Sequence, residues 1–129
     1  MNEVRSIPVL DINSAGISEF LSQDYPLHIR AGMILTDRVN ALNLRFRESA
    51  VGYVSDWHVA GDPTLIIIQQ GCLRIWLRDG ASHDFKVGQA FIAKDYLPQG
   101  VEFNSTVHGH RAEVVGDEPL QAVHIKLDL

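Results

Sequence analysis

The run Leu65-Ile66-Ile67-Ile68 limits what this chain can fold into more than any other stretch. It is short and β-branched. Gly61-Asp62-Pro63 precedes it, and Gly71 follows it. Turn residues on both sides of so short an apolar run predict a buried strand rather than a helix. Trp57-His58 stands just ahead, so an ionisable ring lies one turn away from the most apolar segment. A barrel would place a pocket there.

The rest of the chain repeats this rhythm of short strands and turns. Met33-Ile34-Leu35-Thr36 reads as a strand. Ala41 to Arg47 alternates, with Leu42, Leu44 and Phe46 on one face and Asn43, Arg45 and Arg47 on the other. Val51 to His58 reads as a strand bent at Gly52. Cys72 to Arg78 alternates again, and Asp79-Gly80 is a hairpin signal before the return strand His83 to Lys86. Val87-Gly88-Gln89 turns the chain into Ala90-Phe91-Ile92-Ala93. Residues 95–109 hold glycine, proline and asparagine without a pattern and read as a long loop. Two last strands, His110 to Val115 and Leu120 to Leu127, meet at Gly116-Asp117-Glu118-Pro119. The expected core is Leu42, Leu44, Ile66, Ile68, Ile75, Phe91, Val114 and Val123.

Ahead of these strands, residues 1–30 read as an N-terminal entry segment and 31–129 as the barrel domain. Pro8 within Ser6 to Leu10 confines that stretch to a sheet edge or a swapped arm. Ile17, Phe20 and Leu21 sit at helical spacing, so one short helix is expected before Tyr25-Pro26. The fold class is therefore all-β, with at most one short N-terminal helix.

A chain of 129 residues is one domain by size and holds a real core. Its net charge of −5 and the lack of any basic run argue against nucleic acid as a partner. No apolar run is long enough to span a bilayer, and no secretory signal is visible, so a cytoplasmic protein is expected. A single cysteine, Cys72, excludes an internal disulfide and reads as a small apolar residue at a strand start. A small barrel leaves strand edges to protect, which predicts a homodimer.

On these residues the chain resembles the cupins, double-stranded β-helix (jelly-roll) barrels. His58 takes the place of the first histidine of the cupins' first motif, and Gly71 that of its closing glycine. Ala60 stands where a second histidine is usual, and Thr64 where a glutamate is usual. Asp79-Gly80 and Val87 to Ile92 resemble the opening of the second motif. That motif's histidine is matched by His110 if Val101 to Gly109 is an insertion. The stretch from Trp57-His58 to Glu118-Pro119 also looks like a subgroup of single-domain bacterial cupins without an assigned reaction.

The resemblance implies a small-molecule site, with His58 and His110 as the catalytic candidates. Tyr53, Trp57, Ile66, Ile68 and Gln70 are the ligand-binding candidates. The family's usual centre is a divalent metal such as Fe, Mn, Ni or Zn. Here only His58, His110 and His124 are candidate metal ligands, so the usual set is broken. Three classes of function stay open: a binding domain, a metal-dependent dioxygenase or isomerase, and a metal-free isomerase, epimerase or cyclase acting through histidine. The basic side chains Arg45, Arg47, Arg74 and Arg78 are expected on solvent or at an interface.

Overall fold

The structure is a computed structural model and describes residues 3–129. Ten strands make it up: β1 (Val4–Ile12), β2 (Ser18–Arg30), β3 (Met33–Thr36), β4 (Ala41–Ser49), β5 (Thr64–Gln70), β6 (Cys72–Trp76), β7 (Ser82–Lys86), β8 (Ala90–Ala93), β9 (Arg111–Val115) and β10 (Leu120–Leu127). They form one sheet in the order β3-β2-β1-β8-β5-β10-β4 and a second in the order β7-β6-β9. The stretch before β5 joins the smaller sheet beside β9 through the single bridges Val54–Glu113 and His58–His110. From β4 onward, successive segments are thus dealt between two facing sheets. One is β4-β10-β5-β8, and the other is 54–58, β9, β6 and β7. That is the strand order of a jelly roll.

The apolar run that dominates the sequence becomes β5, the central strand of the large sheet's jelly-roll half. Ile66 and Ile68 point between the sheets and are buried with Leu73 and Ile75 of β6. Leu65 points to the opposite face, against a second apolar cluster of Val9, Ile92 and Leu127. Both faces of β5 are covered, so the run does not alternate with polar residues. The main core is completed by Phe85 and Phe91, stacked with ring centroids 4.1 Å apart, and by Phe20 tilted against both. Each such buried side chain stabilises the fold by about 1.5–3 kcal/mol. Across the smaller sheet, Arg74 grips Asp84 with two hydrogen bonds of 2.7 and 3.0 Å.

Three expectations need correction. Leu42 and Leu44 are not in the core. They are 59% and 53% exposed, and Phe46 beside them is 76% exposed. The alternation of β4 is real, but its sides are reversed. Pairing with β10 sets Arg45 opposite His124, and His124 opposite Ile66 of β5. Ile66 faces inward, so the Asn43-Arg45-Arg47 face of β4 faces inward with it.

The short helix is absent as well, and no described residue is helical. Asn13 accepts backbone hydrogen bonds from Ala15 and Ile17 on its side chain, and Gly16 takes φ 80°. This asparagine–glycine turn makes a hairpin, and Phe20 enters the core from β2. The helical spacing of Ile17, Phe20 and Leu21 is incidental.

Pro8 does not put β1 at an edge, since β1 lies between β2 and β8. The parallel pairing with β8 involves only Val9 and Leu10. Pro8 lies short of it, so its missing N–H leaves no gap in that ladder. The Asp79-Gly80 hairpin holds as read, closing β6 onto β7 with Gly80 at φ 87°. No helix of the described residues is long and apolar enough to cross a membrane.

The stacked aromatic pair gives a direct test of this core. Phe91→Ala should cost about 3–5 kcal/mol in urea denaturation. Val87→Ala, on the exposed turn before β8, should change stability by less than about 0.5 kcal/mol.

Candidate functional site

The open end of the sandwich holds a cavity of about 260 Å³ between the two sheets. Its floor is apolar: Ile66, Leu73, Ile75, Phe91, Ala93 and Ala112. Its polar wall is Arg45 and Arg47 from β4, His124 from β10, His58 and His110. A wider outer part of about 480 Å³ shares Arg45, Ala60, Thr64 and His124 with it, so the two make one cleft.

His58 and His110 come from segments far apart in the chain, and backbone pairing joins them. His58 N–H donates to the His110 carbonyl at 2.9 Å, and His110 N–H donates to the His58 carbonyl at 2.8 Å. The rings lie 4.5 Å apart, centroid to centroid. Gly109 makes so close an approach feasible. It takes φ 82°, and a Cβ there would run into the backbone of His58. Arg78 secures the same loop from outside. Its guanidinium donates to the carbonyls of Ser105 and His108, both at 2.7 Å, and lies 3.8 Å above the Trp57 ring.

Each imidazole of the pair is oriented by its Nδ1. In His58 that atom lies 2.8 Å from the Asp56 carbonyl, which only accepts, so Nδ1 carries the hydrogen. In His110, Nδ1 lies 2.7 Å from Oδ2 of Asp95. Asp95 is fully buried. Ser18 Oγ donates to the same oxygen at 2.7 Å, and Ala60 N–H donates to Oδ1 at 3.0 Å. Burial alone would raise the Asp95 pKa, but the His110, Ala60 and Ser18 hydrogen bonds outweigh it and hold the carboxyl below its usual value. An ionised Asp95 receiving Nδ1–H leaves the His110 Nε2 lone pair available in the neutral ring. A nitrogen backed by a carboxylate in this way can accept a hydrogen bond or a proton.

His58 has its pKa lowered by burial, against the pull of the Asp56 carbonyl. His124 is pushed down to about 4, first by burial and then by Arg47 and Arg45. Its buried Nε2 has no hydrogen-bond partner among the described residues.

The other sequence candidates scatter. Ile66 lines the cavity, while Ile68 is buried deeper in the core. Tyr53 is exposed and lies 5.5 Å beneath the Arg47 guanidinium. Trp57 stacks on Arg78, and Gln70 donates to the Pro119 carbonyl at the far end of β5. His108 accepts the Asn104 N–H on its Nδ1 at 2.9 Å and shapes the loop. Sequence reading missed Asp95 and gave Arg45 and Arg47 to solvent or an interface. The available signal for Asp95 was an acid two residues past the buried strand Ala90–Ala93.

A cupin-type metal centre does not fit this donor set. Ala60 has no ligand atom, Thr64 offers only a hydroxyl that donates to the Asp62 carbonyl, and Asp95 spends both oxygens on protein donors. Among the described residues no three His, Cys, Asp or Glu side chains are grouped to hold an ion.

No protein-family model matches the sequence, and no curated protein matches it. Among solved structures, the chain is similar to a cupin domain from Bordetella pertussis Tohama I, at 11% identity and a TM-score of 0.47, covering 100% of this chain and 99% of that one. It is also similar to the Schizosaccharomyces pombe Cnp3 cupin domain, at 12% identity and a TM-score of 0.46, covering 99% and 90%.

Two outcomes test the site. Gly109→Ala should lose about 2–5 kcal/mol, from left-handed backbone strain plus overpacking against His58, read as a lower urea midpoint. For His124, a folded pKa of about 4 against an ordinary 6.5 means that the unfolded chain binds more protons between those values. Stability should therefore fall as pH drops from about 6.5 towards 4, and His124→Gln should flatten that slope in denaturation curves taken across the range.

The strand order, with paired histidines between the two sheets, is that of a jelly roll.

Proposed function

We propose that the chain is a small-molecule-binding barrel whose ligand seats between the apolar floor and the His58–His110 pair. One observation carries the reading: two imidazoles, each held by a hydrogen bond at its Nδ1, line a cavity together with buried Ile66, Ile75 and Phe91. A largely apolar cavity with a few convergent polar groups is the usual make-up of a ligand site.

The test is a fragment screen followed by NMR of the histidine ring nitrogens. Compounds that bind should move the His58 and His110 signals, and His58→Ala should weaken them at least about fivefold, the loss of one hydrogen bond of about 1 kcal/mol. Compounds that shift only residues on the outer face of the large sheet, such as Ile7 and Leu65, would sink the reading.

We also propose a homodimer, supported by where the exposed apolar residues lie. They gather at both open edges of the large sheet: Ile29, Met33, Ile34 and Leu35 on the β2–β3 hairpin, and Leu42, Leu44 and Phe46 on β4. A two-fold axis that sets β3 of one protomer beside β4 of its partner covers both edges at once. Light scattering should give twice the chain mass, and Leu44→Asp with Phe46→Asp should return it to the monomer mass. A monomer mass for the parent at micromolar concentration would refute the pairing.

A further inference from the structure

The cleft wall carries two guanidinium groups, Arg45 and Arg47, that no carboxylate among the described residues neutralises. Arg45, Arg47, His58, His110 and His124 line the inner cavity, and no aspartate or glutamate does. This stands out in a chain whose net charge is −5. The nearest acids are already engaged. Asp95 lies behind His110 with three donors on its oxygens. Asp62, in the outer part, is paired with Lys126 at 2.6 Å. Among the described residues neither Arg45 nor Arg47 has a carboxylate partner. Arg47 uses its Nε on Ser49 Oγ at 3.0 Å, and among the described residues its terminal nitrogens have no hydrogen-bond acceptor. Its side chain is half-buried, and desolvation lowers its pKa. A half-buried guanidinium without a counter-charge is unfavourable, and a bound anion relieves it.

We propose that the cleft takes a small organic carboxylate that also carries a hydroxyl or amino group. Arg45 and Arg47 hold the carboxylate, and the Nε2 atoms of His58 and His110 accept from the neighbouring donor. The planar guanidinium fork suits a carboxylate's two oxygens. The apolar floor suits a short hydrocarbon body, which a bare inorganic anion lacks. With both Nδ1 atoms committed to acceptors, Nε2 is the nitrogen each ring has left for a ligand, and a ring in its neutral form accepts there. The inference rests on the small-molecule reading above and narrows it to a charge and a functional-group pattern.

The experiment titrates the intact protein with mandelate and 2-hydroxy-3-methylbutanoate, with their primary amides, and with inorganic phosphate, following the histidine ring nitrogens by NMR. Both acids should bind and move the His58 and His110 signals. The neutral amides, which keep the hydroxyl and the body, should bind at least about tenfold more weakly. Arg45→Gln and Arg47→Gln should each weaken the acids by a similar factor, and Arg38→Gln, outside the cleft, should not. Arg45 is exposed at the mouth, so its variant stays informative if the Arg47 variant does not fold. Amides that bind as well as the acids would overturn the inference while the pocket reading stands. So would acids that bind both arginine variants unchanged, or phosphate that binds as tightly as the acids. If these acids fail while neutral fragments still move the two histidines, the carboxylate falls alone. If nothing moves them, both readings fall.

Discussion

Asp95 has no exposed surface, yet three separate parts of the chain meet on its carboxylate. Ser18 comes from the start of β2, Ala60 from the turn before β5, and His110 from the end of the long loop. A buried carboxylate is costly unless each lone pair it turns inward finds a donor. Here the donors arrive from elements that otherwise share few contacts. Ionised Asp95 thus ties the N-terminal hairpin to the site, fixes the His110 tautomer and holds the Ala60 backbone in place. The carbonyl of the same residue accepts the Gly61 N–H at 2.9 Å, so the turn ahead of β5 is anchored twice. The geometry of the cleft depends on this one group more than on either histidine.

Much of the fold was legible because strand periodicity and turn chemistry are local. The β5 run, the alternation of β6 and the Asp79-Gly80 hairpin each needed only neighbouring residues to specify them. Which side of an alternating strand faces in is not local. It is fixed by register with a partner, and for β4 the partner is β10, some eighty residues away, where His124 meets Arg45. Leu42 and Leu44 are therefore expected in the core from alternation alone, while the pairing turns the arginines inward. The segment at Asn13–Ile17 failed differently. Three apolar residues matched a helical period by chance, and the turn made by Asn13 and Gly16 decided the matter.

The site was legible in the same partial way. His58 and His110 were found because they take the histidine places in the resemblance to the two cupin motifs. Their contact, however, depends on Gly109 accepting a left-handed conformation that lets two backbones touch. Asp95 and the two arginines were invisible for a common reason. Each acts through a partner distant in sequence, and each sits in a segment whose local pattern suggests something ordinary: a loop acid, or the polar face of a strand.

The reversal of β4 has a physical logic that joins the interior of the protein to its exterior. An edge strand with apolar residues outside and arginines inside is unfavourable in an isolated chain on both counts. Exposed Leu42, Leu44 and Phe46 leave apolar surface in water, and Arg47 gives up part of its hydration. Reversing the strand would remove both costs, since the leucines would join the core and the arginines would reach solvent. The register with β10, which pairs Arg45 with His124, fixes the strand the other way. The proposed dimer and the proposed anion each offset one of these costs. A second copy of the chain against the outer face and an anion against the inner one are the two partners whose chemistry matches what β4 presents.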